Sequence, residues 1–408
     1  MTESLPGRLW NRDYLAYLLG IALTALGDAF VLVALPFLVL ELTDSPEALA
    51  TAVLLGTLPR FLGPITGALA DRLHLRIPLM TSSLLRATLF AGMALLYMDG
   101  SLPLWVVYGG AFLNGLLTSF IFAAGMVLVP NLVPRSELAR ANSFMQAALM
   151  GLPLVGLGAA GALVGVLGVG GTILVASPCL LALFGSAALI RFPPRPRQSE
   201  GLDFLGDMAA AGRYLLASAP LAFLLLMSLV LNACLNMLNV TMPVVMEETG
   251  RGAQGFGLFE SSFSAGMLLG IAAVSVVARS LPARFQISVS QVFMALGLAI
   301  LSLGGFTNYL GGGFVLGLGL GFSEVAAVTL LQLAVPDGMR GKVLGIVFTA
   351  NALGLAIGAW LAGVLVGVVP MSAIYLVGAG TVAVIAVAWT LLHIQQREQL
   401  ERLMEAAA

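Results

Sequence analysis

Four charged side chains stand deep inside long apolar stretches of this chain: Asp28, Arg60, Arg86 and Glu324. At the centre of a bilayer such a charge costs about 2.5–3.5 kcal/mol on insertion scales, so each must face a cavity or a partner of opposite sign. Two acids and two arginines allow two chemistries. An unpartnered acid is pushed by desolvation towards its neutral form and can take up a proton, whereas an acid beside an arginine stays an ion pair. Asp28 is open to both readings: a site for a proton or a substrate cation, or the structural partner of Arg60 or Arg86. Glu324, in Gly321-Phe322-Ser323-Glu324, gives the second half of the chain its own proton-coupling candidate.

Polar residues around these charges fall on helical faces. Tyr17, Gly20, Thr24, Gly27 and Asp28 recur at spacings of three and four, so Tyr17 and Thr24 are candidates for the wall of a cavity. Asn232, Asn236 and Asn239 align three amides on one helix face, which lipid exposure would forbid. They line a cavity or bond a neighbouring helix, and Phe259, Phe263 and Phe322 offer apolar wall nearby. Glu41 and Glu260 lie towards the ends of their stretches and read as a solvated rim. Asp28 and Glu41 are separated by about 20 Å of helix and point to different faces, so they form no direct relay.

The elements that position these residues are transmembrane helices. Of the 408 residues 59% are hydrophobic and 10% charged, with a mean hydropathy of +1.01. A soluble domain carries roughly 25% charged residues, so lipid replaces water over most of this surface. Twelve apolar stretches are long enough to span a bilayer: 14–42, 48–70, 77–98, 103–129, 138–167, 171–191, 217–246, 256–278, 285–304, 309–334, 343–368 and 371–393. Of the 19 lysines and arginines, 16 lie in the terminal segments and alternate loops; Arg251 alone lies in the opposite loops, and Arg60 and Arg86 fall inside stretches. Positive loops stay cytoplasmic, which places both termini there.

The Pro-rich break at 191–216 is a cytoplasmic linker, and 204–216 reads as an interfacial helix. It divides a six-helix half, 1–190, from a second six-helix half with a short tail, 217–408. A shift of 202 residues pairs Val133-Pro134 with Val335-Pro336, Gly156 with Gly358 and Leu163-Val164-Gly165 with Leu365-Val366-Gly367. The expected fold is therefore all-α, with two six-helix halves related by a pseudo-two-fold repeat and a site between them at mid-membrane.

Several functions are excluded by what the chain lacks. A net charge of −1 offers no cationic surplus for nucleic acid. There is no Gly-rich loop ending in Gly-Lys-Ser/Thr, hence no support for ATP-driven transport. His74 and His393 read as solvated residues near the cytoplasmic face, without companions at metal spacing, so no metal and no cofactor is expected. No histidine lies in the middle of a stretch to serve a catalytic triad, and an enzyme is not expected. Cys179 and Cys234 sit in apolar runs and read as buried thiols.

One loop carries a family resemblance. Gly67-Ala68-Leu69-Ala70-Asp71-Arg72-Leu73-His74-Leu75-Arg76 resembles the signature loop of the major facilitator superfamily, matching it at Gly67, Asp71, Arg72 and Arg76 and departing from it at His74 and Leu75. The resemblance implies a cytoplasmic gating loop, in which Asp71 caps a helix near Gly341-Lys342 and the arginines tie helices across that face. Further stretches, Asn11-Arg12-Asp13 with Leu26-Gly27-Asp28, and Val133-Pro134 with Leu138-Ala139-Arg140-Ala141-Asn142-Ser143, resemble the branch that includes macrolide efflux proteins and the enterobactin exporter. That branch implies a monomeric, multi-pass protein of the bacterial cytoplasmic membrane. It would export amphipathic, drug-like or siderophore-like small molecules by proton antiport with alternating access. A facilitator, an importer or a lipid flippase is the alternative on the same fold. The antiporter motif of the fifth stretch is present only as Gly151-Leu152-Pro153 with Gly156 and Gly158.

Overall fold

The computed structural model describes residues 9–62, 66, 73–192, 204–277, 281–335 and 337–395, and among these there is helix but no strand. The chain forms two compact units, Met1–Glu200 with Met246–Gly257, and Gly201–Val245 with Leu258–Ala408. Ten helices among the described residues are long and apolar enough to cross a membrane.

The first unit holds α1 (Arg12–Thr43), α2 (Pro46–Thr57) with a 3-10 turn at Leu58–Leu62, α3 (Arg76–Met98), α4 (Leu104–Leu132) and α5 (Leu138–Leu189). Two of the expected stretches run together in α5. At 52 residues it would be ~78 Å long if straight, far more than a bilayer needs. It breaks at Gly168, whose φ of 71° and ψ of 176° suit a residue without a Cβ. The expected stretch 48–70 is α2 and its 3-10 continuation, with 63–65 and 67–70 outside the described residues.

The Asn11-Arg12-Asp13 motif starts α1 and ties it to its neighbours. The Asn11 side chain accepts from the Tyr14 amide at 2.9 Å and donates to the Leu132 carbonyl at 2.8 Å. Tyr14 donates its hydroxyl to the Ala141 carbonyl at 2.8 Å. These bonds satisfy groups that helix ends would otherwise leave open. They join the start of α1 to the end of α4 and the start of α5, over a core of Tyr17, Leu79, Leu128 and Leu183.

The second unit holds α6 (Phe204–Ala217), most of α7 (Ala219–Glu248) and of α8 (Gly252–Val277), α9 (Ala283–Ser302), α10 (Phe306–Ala334), α11 (Asp337–Leu365) and α12 (Met371–Gln395). The short α6 occupies the place expected for the interfacial helix. Its Tyr214 donates to the Ala334 carbonyl at 2.8 Å, and burial raises the phenol above its ordinary range, keeping it a donor. Helices α8 and α10 pack backbone to backbone: a Cβ on Gly266 would lie 2.0 Å from the Phe314 carbonyl oxygen, and one on Gly317 2.0 Å from that of Phe263. Glycine permits this approach, and larger residues would push the helices apart.

Candidate functional site

Each unit keeps an acid among apolar helices. In the first, Asp28 on α1 is hydrogen-bonded and ion-paired to Arg86 on α3. Arg86 also donates through Nε to the Asn114 side chain on α4 at 2.8 Å, so three helices share the network. The Arg86 side chain is 1% exposed and that of Asp28 43%. Gly27, beside Asp28, leaves room for α5: a Cβ there would lie 3.0 Å from that of Cys179. Arg60 lies on the 3-10 turn and is exposed. Of the two arginines left open by the sequence, the structure brings Arg86 to Asp28.

Tyr17 and Thr24, on the same helix, do not face open space. Tyr17 is buried with its hydroxyl against Gly125, and Thr24 is buried and donates to the Gly20 carbonyl of its own helix at 2.8 Å. Their regular spacing belongs to a packing face. Glu41 is exposed and accepts from the Tyr97 hydroxyl.

In the second unit the three amides converge on a cavity of about 180 Å³. Asn232, Asn236 and Asn239 of α7 line it with Phe259, Glu260 and Phe263 of α8. The Asn236 nitrogen donates to the Leu355 carbonyl of α11 at 2.7 Å, and the Asn239 nitrogen to the Asn236 oxygen at 2.8 Å. Asn232 donates to the Ser228 carbonyl of its own helix at 2.8 Å. So the amides do both things that the spacing allowed, lining a cavity and bonding a neighbour. Close contact of α7 and α11 supports them, since a Cβ on Gly358 would come within 2.2 Å of the Ala233 carbonyl oxygen.

Glu260 is the residue that sequence reasoning misplaced. Expected on a solvated rim, it is 9% exposed and belongs to the cavity wall. The signal was its depth: Glu260 follows Gly252, the first residue of α8, by eight positions, or about 12 Å of helix, close to half a hydrocarbon core.

Comparison with known proteins assigns the fold. The family model described as Major Facilitator Superfamily matches residues 17–311 and 224–406. The chain belongs to the major facilitator superfamily. It is similar to macrolide efflux protein A of Streptococcus pyogenes, 24% identical over 358 residues that cover 86% of this chain and 88% of that one. It is also similar to the enterobactin exporter EntS of Citrobacter koseri, 26% identical over 339 residues, covering 81% and 80%. Among solved structures, a POT family transporter in complex with 5-aminolevulinic acid superposes with a TM-score of 0.78 at 11% identity, covering 95% of this chain and 96% of that one. The nucleoside transporter NupG superposes with a TM-score of 0.75 at 12% identity, covering 93% and 99%. This superfamily member is a multi-pass membrane transporter and not an enzyme.

The remaining predicted positions are dispersed. Glu324 on α10 is exposed on its unit, whereas Phe322 is buried at 5% and does not line the cavity. Of the superfamily's signature loop, Gly67, Asp71 and Arg72 lie outside the described residues. Arg76 begins α3 and donates to the Ala188 carbonyl at 3.3 Å. His393, expected to be solvated, is instead 1% exposed, because Phe285 packs edge-on against it at 4.8 Å and Trp389 lies alongside. Among the described residues no group of three histidines, cysteines or acids could hold a metal.

Proposed function

We propose that this protein exports amphipathic small molecules, drug-like or siderophore-like, in exchange for protons, by alternating access between two six-helix halves. The observation that carries the reading is a largely apolar cavity, walled by phenyl rings and leucines, on which three amides and one carboxyl group converge, the arrangement that small-molecule sites require. Relatives named as a macrolide efflux protein and an enterobactin exporter, each matched over about four-fifths of this chain or more, support the direction. In this reading twelve transmembrane segments are counted by treating α5 as two and α2 with its continuation as one. Both termini are cytoplasmic, as the bias of 16 of 19 basic residues supports. The transporter acts as a monomer in the cytoplasmic membrane, and Gly67, Asp71, Arg72 and Arg76 form its cytoplasmic gate.

Of the two coupling candidates, Glu324 is the better carrier of a mobile proton. Asp28 already holds Arg86, whereas Glu324 forms no ion pair among the described residues. Transport of a radiolabelled macrolide by purified protein in vesicles, under pH gradients of both signs, tests the reading. Uphill flux that reverses with the gradient and disappears in Glu324→Gln is the expected result. Flux that runs only downhill and ignores the gradient would make the protein a facilitator.

A further inference from the structure

We infer that the cavity of the second unit recognises the protonated amine of an amphipathic ligand, with Glu260 as its counter-ion. The inference deepens the export reading, on which it depends only for calling that ligand a substrate.

Glu260 is buried, lines the cavity, and makes no ion pair or hydrogen bond among the described residues. An ionised carboxylate taken out of water without a partner is strongly disfavoured, and breaking an existing buried pair costs several kcal/mol. The first unit fills this requirement with a fixed arginine. Among the described residues the second places no cation beside Glu260, so its charge is balanced by a proton or by a cation that enters the cavity.

Carboxamide orientation is a matter of assignment unless a partner of known character fixes it. Here backbone carbonyls, which only accept, hold the nitrogens of Asn232 and Asn236, and the oxygen of Asn236 then holds the nitrogen of Asn239. The oxygens of Asn232 and Asn239 receive no donor among the described residues. With the Glu260 carboxylate, the polar groups left for a ligand are acceptors. An ammonium is donor-only and matches them, while a carboxylate or phosphate brings only more acceptors and like charge.

Phe259 and Phe263 supply rings against which a cation is attracted, and Leu235, Leu320 and Leu355 complete an apolar wall for the carbons next to the nitrogen. About 180 Å³ is smaller than the ~300–1,000 Å³ of pockets that enclose a drug-sized molecule. The cavity therefore takes the amine end, and the body of the ligand extends beyond it.

Equilibrium dialysis of the full-length purified protein against 4-phenylbutylamine, 4-phenylbutanol and 4-phenylbutyrate tests this, since the three share a body and differ in the head. Wild type should bind the amine at least about tenfold more tightly than the alcohol, the least that a charge-assisted bond of ~1.5–3 kcal/mol provides, and should bind the acid most weakly. Glu260→Gln should abolish the preference for amine while leaving alcohol binding in place; a merely structural role would weaken both alike. Should Glu260→Gln fail to fold, Asn239→Leu removes one acceptor from the same cavity and should lower the amine-to-alcohol ratio several-fold. Equal binding of amine and alcohol by wild type, an unchanged ratio in the variants, or no binding of any probe would each overturn the inference. The vesicle experiment fails separately: amine-selective binding without uphill flux would remove the export reading and leave the recognition site standing.

Discussion

Asp28 in the first unit and Glu260 in the second are both carboxylates held among apolar helices, yet Asp28 is locked to Arg86 and through it to Asn114, while Glu260 faces a cavity bounded by amide oxygens and phenyl rings. The pair in the first unit joins α1, α3 and α4, and nothing has to arrive for its charges to be balanced. Among the described residues the second unit offers Glu260 no such partner, and its charge is balanced by a proton or by an arriving cation. Internal sequence repeats had suggested that the halves are equivalent in plan. Their polar interiors are not: one is built to hold helices together and the other to hold a visitor.

The largest expected effect tests the fixed half of this contrast. Asp28→Asn strands the Arg86 guanidinium, which is 1% exposed, and should lower stability by about 3 kcal/mol, the lower end of the range for a broken buried pair because Asp28 is itself partly exposed. Arg86→Met leaves the acid rather than the cation, and that acid can hydrate, so the loss should be only about 1 kcal/mol. Thermal unfolding of the two variants in one detergent measures both. Equal losses would mean that Asp28 is as enclosed as its partner.

A second experiment divides the cavity wall into support and contact. Asn236 is buried and bridges α7 to α11, so Asn236→Leu frees the Leu355 carbonyl and releases Asn239, a loss of about 2 kcal/mol. Among the described residues Asn232 donates only within its own helix, and Asn232→Leu should cost about 0.5 kcal/mol. Melting curves that reverse this order would place the bridging role on the wrong amide.

Much of this was legible in the sequence, for reasons that differ by residue. Helix extents followed from apolar length: the stretch 77–98 became Arg76–Met98, and 309–334 became Phe306–Ala334. The break between 138–167 and 171–191 was visible because Gly168 can adopt a backbone that other residues resist. The amide face was readable because its three members share one helix, where spacing alone sets direction. Relations between helices were not readable. Arg60 and Arg86 lie at similar depth, and only packing selects Arg86 for Asp28. Tyr17 and Thr24 repeat as a cavity face would, but a packing face repeats identically, and theirs is buried. His393 sits near a helix end that would ordinarily be wet, and Phe285 from another helix covers it.

The smallest expected effect on stability falls on Glu260 and is the sharpest test of the contrast. A buried carboxylate with a fixed partner destabilises the fold when neutralised, because the partner is left behind; one whose partner is mobile has nothing to strand. Glu260→Gln keeps the volume of the side chain, cannot ionise, and exchanges one acceptor oxygen for an NH2 donor. In ligand-free protein its melting temperature should therefore match or exceed that of wild type, with a change in stability within about 0.5 kcal/mol. The same protein should no longer be stabilised by added 4-phenylbutylamine, as a ligand that binds only the folded wild type would stabilise it. A loss comparable with that of Asp28→Asn would show that Glu260 has a fixed cationic partner after all, and the two units would then solve the problem of an acid in apolar surroundings in the same way.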